Sequence, residues 1–101
     1  MVKVSTLLCF DFGLSNIGVA VGNTLTREAR PLAVLDAHHG KPNWERVGSL
    51  IVEWLPNSIV VGSPIDEAGE HTELSEKAAR FARQLEGRFR LPVILHDERF
   101  S

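Results

Sequence analysis

The apolar and polar positions of the chain fall into seven segments, and their spacing predicts what each one is. Residues 6–12 form an apolar run broken by one acid and closed by Gly13, the pattern of a short buried strand. A period of two places Leu7, Cys9 and Asp11 on one face and Leu8, Phe10 and Phe12 on the other. Gly13 to Asn16 is a turn. Residues 17–22 then predict a second strand, in which Gly18, Ala20 and Gly22 leave one face nearly bare, open to a ligand or another backbone. Residues 29–37 predict a third strand, with Pro31 near its start suiting an edge or a strand entry.

Two helices and two further strands follow. Asn43 is placed to N-cap a helix over 44–55, with Trp44, Val47, Ile51, Trp54 and Leu55 on one stripe and Pro56 at its end. Both tryptophans are expected in the core. Residues 58–62 predict a strand that returns parallel to an earlier one. After a polar loop from Ser63 to His71, Thr72 is placed to cap a second helix reaching about Gly87. Glu73 and Glu76 favour its dipole, and Leu74, Ala78, Phe81, Ala82 and Leu85 face inward. Residues 92–96 form the last predicted strand.

The order β-β-β-α-β-α-β describes an α/β protein with a five-stranded mixed sheet, three antiparallel strands extended by two parallel ones, and helices packed on it. The whole chain, 1–101, reads as one domain. Because Asp97 to Ser101 follow a strand directly with no element to cover its end, the chain is expected to be truncated at its C-terminus. The composition, 44% hydrophobic and 24% charged, is ordinary for a globular protein. A formal net charge of −2 gives no global attraction to a polyanion, so a nucleic-acid partner would need a local basic patch or bound cations. The one cysteine, Cys9, excludes an internal disulfide framework, fits a reducing compartment and is expected in the core. No apolar run approaches a membrane span, which points to a cytoplasmic protein without a membrane partner.

An acid inside an apolar run must be satisfied locally or be put to use, because an unpaired buried charge costs several kcal/mol. Asp11 and the Asp97–Glu98 pair both fall at the C-terminal ends of strands expected to be parallel neighbours, where open α/β sheets place their sites. Such carboxylates suit Mg²⁺, a hard cation that bridges acids to substrate phosphates. From the residues alone two readings stay open: a metal site, or an Asp11 that caps its own turn beside an ion-paired strand exit. Asp97 and Glu98 point to opposite faces, so only one of them can aim at the site. Arg30 and Arg99 flank that site as candidate phosphate contacts, while Lys77, Arg80 and Arg83 read as a solvated helix face. His96 lies on the strand that delivers Glu98 and could orient it. His38, His39 and His71 lie in loops without metal-ligand spacing.

Asp11-Phe12-Gly13, Ile17 to Gly22, Ala29-Arg30-Pro31-Leu32, Ile59 to Pro64 and Asp97-Glu98-Arg99-Phe100-Ser101 occur in the order in which the YqgF/RuvX family carries its landmarks. The chain resembles that family over nearly its whole length. The resemblance implies an RNase H-like fold, kinship with Holliday-junction resolvases, and a nuclease that matures the 5′ end of pre-16S rRNA, with branched DNA as the alternative substrate. It implies that Asp11 and Glu98 are catalytic metal ligands for Mg²⁺ or Mn²⁺, two ions in the complete protein. Gly13, Gly18, Gly62, Pro64 and Ser101 match its motif and backbone positions. The resemblance also implies a further acid in a C-terminal helix beyond Ser101, so that helix is expected to be missing, which leaves the set incomplete, predicts an inactive fragment and allows a homo-oligomer. The nearest acid to a position that related resolvases use, Asp66, falls in a loop. Two other classes compete: an actin-like nucleotide-binding domain, which would need a second lobe, and a catalytically silent RNA-binding or scaffold domain.

Overall fold

A computed structural model describes residues 5–25, 29–63 and 73–97. The alternating segments become strands β1 (Thr6–Asp11), β2 (Asn16–Asn23) and β3 (Ala29–His38), followed by a two-residue strand β4 (Lys41–Pro42). Helix α1 (Trp44–Trp54), β5 (Ser58–Ser63), α2 (Glu73–Phe89) and β6 (Val93–Asp97) complete the described chain. All the predicted strands and helices are present, with ends displaced by one or two residues. The Thr72 cap lies outside the described residues.

The sheet has six strands rather than five, in the order β4-β3-β2-β1-β5-β6. β4 escapes sequence periodicity because it contributes only two pairs, Ala37 with Pro42 and His38 with Lys41. Its turn places His39 at φ 53° and Gly40 at φ 81°, the two positive-φ positions of a tight I′ hairpin. The first four strands form an antiparallel meander, whereas β5 and β6 run parallel to β1. The position of Pro31 has a local cause. β2 and β3 slip register between Val19 and Ala20, where Ala33 and then Pro31 are the partners. Proline thus sits beside a bulge, where its missing N–H disturbs the ladder least.

The two described helices cover one face of this sheet. Leu8, Phe10 and Phe12, with Ile17, Val19, Leu35, Ile59 and Val61, meet Val47 and Ile51 of α1 and Ala78, Phe81, Ala82 and Leu85 of α2 in one buried cluster. Phe81 lies at its centre, with ring centroids 5.6 Å from Phe10, 5.4 Å from Phe12 and 5.6 Å from Trp44. Asn43 caps α1 as predicted, its side chain accepting from Glu45 N–H at 2.9 Å. At the other end the helix stops one residue early. Leu55 turns left-handed to donate to the Ile51 carbonyl at 2.8 Å, and its side chain is left 75% exposed rather than in the stripe.

Two other core assignments are corrected by the same geometry. Trp54 is only partly buried and lies beneath the Arg30 guanidinium, 5.6 Å from its ring centroid, outside the core cluster. Cys9 has the parity of Asp11, so it is on the face that the described helices leave open, half-buried and outside the core.

Candidate functional site

Register aligns one row of residues across the open face. Asp11 on β1 pairs with Gly18 on β2 and with Gly62 on β5, Gly62 pairs with His96 on β6, and Gly18 pairs with Val34 on β3. Asp11 is exposed and has a glycine on each side. A Cβ added at Gly18 would lie 3.7 Å from the Asp11 Cβ, so any larger side chain there would crowd the carboxylate. The apolar run therefore carries an acid without burying it: its face has no described helix over it, and its row neighbours leave space for a ligand.

The following turn is held as tightly. Phe12 N–H donates to the Gly62 carbonyl at 3.4 Å, extending the β1–β5 pairing past Asp11. At Gly13 a Cβ would come 2.6 Å from the Asn16 carbonyl oxygen, a collision that only glycine avoids. Asp11 thus projects from a rigid strand end. It opens onto a shallow depression of ≈ 310 Å³ lined by Cys9, Gly18, Ala20, Val34, Val60 and His96 among others.

His96 shares the row and the depression with Asp11, two strands away, or about 10 Å at the usual strand spacing. β1 and β6 are not neighbours: β5 lies between them, so acids at their ends approach across a strand and not side by side. Gly62 makes that approach possible, because it carries no side chain between them. Sequence reasoning placed His96 on the right strand but gave it no site of its own. The available signal was parity with Ile94 on the same strand and the glycine that faces it.

The remaining sequence candidates divide by position. Glu98, Arg99, Ser101 and Pro64 lie outside the described residues, as does Asp66, while of Asp97 only the backbone, paired with Ser63, is described. Arg30 departs from the expectation that it flanks the acid. It pairs with Val21, which pairs with Leu8, three residues from Asp11 or roughly 10 Å along β1. Its stacking on Trp54 of α1 puts it on the helix-covered side. Arg80 and Arg83 are exposed on α2, and Lys77 makes a surface ion pair with Glu73 at 3.4 Å.

Among the described residues no three His, Cys, Asp or Glu side chains gather into a metal-binding group. Asp11 by itself has what a hard cation asks for, an exposed oxygen ligand with free space on both sides. Further ligands would have to come from residues outside the described segments. No described helix is long and apolar enough to cross a membrane.

The family model described as RuvX: Holliday junction resolvase matches residues 5–101. A protein of Pseudomonas paraeruginosa named "Putative pre-16S rRNA nuclease" is 54% identical over 95 residues, covering 94% of this chain and 66% of its own length. A Pseudomonas putida protein of the same name is 50% identical over 101 residues, covering 100% of this chain and 72% of its own. The chain therefore spans about two thirds of the length of these relatives. Among solved structures, a Thermus thermophilus RuvC complex with Holliday junction substrate superimposes with a TM-score of 0.59 at 19% identity, covering 93% of this chain and 65% of that one. A Fowlpox virus resolvase in complex with Holliday junction DNA gives 0.55 at 18%, covering 95% and 62%. The fold is that of the RuvC-like resolvases.

Proposed function

This chain belongs to the RuvX family, and from that premise we propose that it is the greater part of a metal-dependent nuclease that acts on structured nucleic acid in the cytoplasm, with the 5′ region of pre-16S rRNA as substrate. One observation carries the reading: an exposed carboxylate fixed between two glycines at the end of β1, on the sheet face that the described helices leave free. Asp11 is the anchoring ligand of a Mg²⁺ or Mn²⁺ ion. Glu98 is the second ligand, since it follows His96 by two positions in the sequence, the spacing at which an extended strand returns to the same face. A bound ion there would lower the pKa of a water and stabilise charge on the leaving oxygen. His96 donates a hydrogen bond to a substrate phosphate and so fixes the strand across the row, and Arg99 adds a charge contact beside it. Arg30 has no part in this, because Trp54 holds it on the other face.

The test uses the protein at the length of its relatives and an RNA spanning the 5′ boundary of 16S rRNA. Mg²⁺-dependent cleavage is expected, reduced on the order of 10²-fold or more by Asp11→Asn with the melting temperature unchanged, because an exposed ligand charge is removed at nearly constant volume. Cleavage of a four-way DNA junction in preference to the RNA would replace the substrate. Cleavage untouched by Asp11→Asn would make that residue structural and end the proposal.

A further inference from the structure

On the helix-covered side, the β3–β4 turn and α2 enclose a second cleft. His39 and Lys41 line it from the turn, Lys77, Arg80 and Gln84 from α2, and Trp44 lies between them. Lys41 and Arg80 are exposed and have no ion-pair partner among the described residues, while Lys77 has only the exposed Glu73 carboxylate at 3.4 Å. A surface pair of that kind is worth little and yields readily to a competing anion. The cleft is thus a local concentration of cations in a chain whose net charge is −2, which is what a polyanion partner requires of such a protein.

The walls are fixed rather than loose. Gly40 N–H donates to the Leu14 carbonyl and Ala37 N–H to the Ser15 carbonyl, both at 2.9 Å, so the turn is fastened to the loop that follows Asp11. Gly40 sits against Phe12, where an added Cβ would come 2.9 Å from Cζ. Trp44 is held on the opposite side by Phe81 and by the Arg88 guanidinium 4.3 Å from its ring centroid. β3 runs parallel to β1, so the cleft opens at the same end of the sheet as Asp11 but round the Gly13–Ser15 turn from it. From Lys77 to Gln84 the helix advances about 10 Å at ~1.5 Å per residue, room for the backbone of a few nucleotides.

We propose that this cleft is a second contact for nucleic acid, holding the phosphodiester backbone of a single strand away from the bond to be cut. The assignment rests on nucleic acid being the partner, but not on the acidic site being catalytic. Binding of a short fluorescein-labelled oligouridylate, followed by anisotropy in EDTA across a salt series, isolates the cleft from any metal site. Lys41→Gln/Arg80→Gln is expected to weaken binding about tenfold and to make the log–log salt slope shallower by about 1.4, two contacts at ~0.7 each. Arg83→Gln/Arg90→Gln, an equal loss of charge at exposed positions outside the cleft, should match wild type, as should Asp11→Asn. The proposal is overturned if the wild-type chain does not bind, if the cleft variant binds like wild type, or if the control pair loses as much. An Asp11→Asn protein that still cleaves yet binds normally would instead count against the acidic site alone.

Discussion

Cys9 and Asp11 are two positions apart on one strand and share the open face, where Cys9 pairs with Ala20 and Val60. Those apolar neighbours remove water from the thiol, and burial raises its pKa, since the thiolate loses solvation. A raised folded pKa keeps the proton on in the native state while the unfolded chain gives it up. The contribution of Cys9 to stability is therefore complete below the unfolded value of about 8.5 and declines as pH rises from there through the folded value. Urea denaturation across alkaline pH should show this decline, and Cys9→Ala should remove it; an identical pH profile in the variant would assign the decline to other groups. The thiol should also alkylate more slowly at neutral pH in the folded than in the unfolded chain, because the thiolate is the nucleophile.

Among the elements, both helices are held by packing on the sheet, and α1 has a side-chain cap as well. The inward positions of α2 follow helical spacing, and Phe81 among them packs against Phe10 of β1, Phe12 just after that strand and Trp44 of α1. Phe81→Ala is expected to cost about 3–5 kcal/mol by cavity formation, a large part of the stability of a small protein. Asn43→Ala removes one bond, to Glu45 N–H, and should cost about 1 kcal/mol. Chemical denaturation of the two variants checks the order, and an Asn43→Ala loss as large as that of Phe81→Ala would contradict it. Both elements were legible because a long apolar stripe and a capping residue are local signals. β4 was not, since two residues carry no period and their pairing is set by the turn before them.

The molecule as a whole has a one-sided sheet among its described residues. Both described helices pack on the Phe10 face, while Val34 and Ile94 on the other face stand 65% and 55% exposed. Apolar side chains exposed on an open sheet face favour association, so the chain is expected to self-associate as its concentration rises. Sedimentation velocity should show the association, and Val34→Asp/Ile94→Asp should return it to monomer. A wild-type chain that stays monomeric throughout would show that the open face does not drive assembly. With Asp11 the one described acid in the row that runs through Gly18, Gly62 and His96, Mg²⁺ should bind weakly and at a single site, since two ions need several carboxylates to offset their repulsion.

The sequence by itself determined the elements and their faces. A period of two placed Leu8, Phe10 and Phe12 together and Asp11 opposite them, and Gly18, Ala20 and Gly22 marked the bare side of β2 before any fold was known. It also carried the family's landmarks in order, because those are local strings. What it could not supply was which strands lie side by side, since partners such as Gly62 and His96 are brought together by register between segments far apart in the chain. Tertiary structure alone put β5 between β1 and β6, aligned His96 with Asp11 across a glycine, and moved Arg30 to the other face through a one-residue slip beside Pro31. The same long-range pairing placed Cys9 outside the core and brought Lys41 to face Arg80. Each of these outcomes depends on contacts between distant segments, and hydrophobic periodicity describes only the near ones.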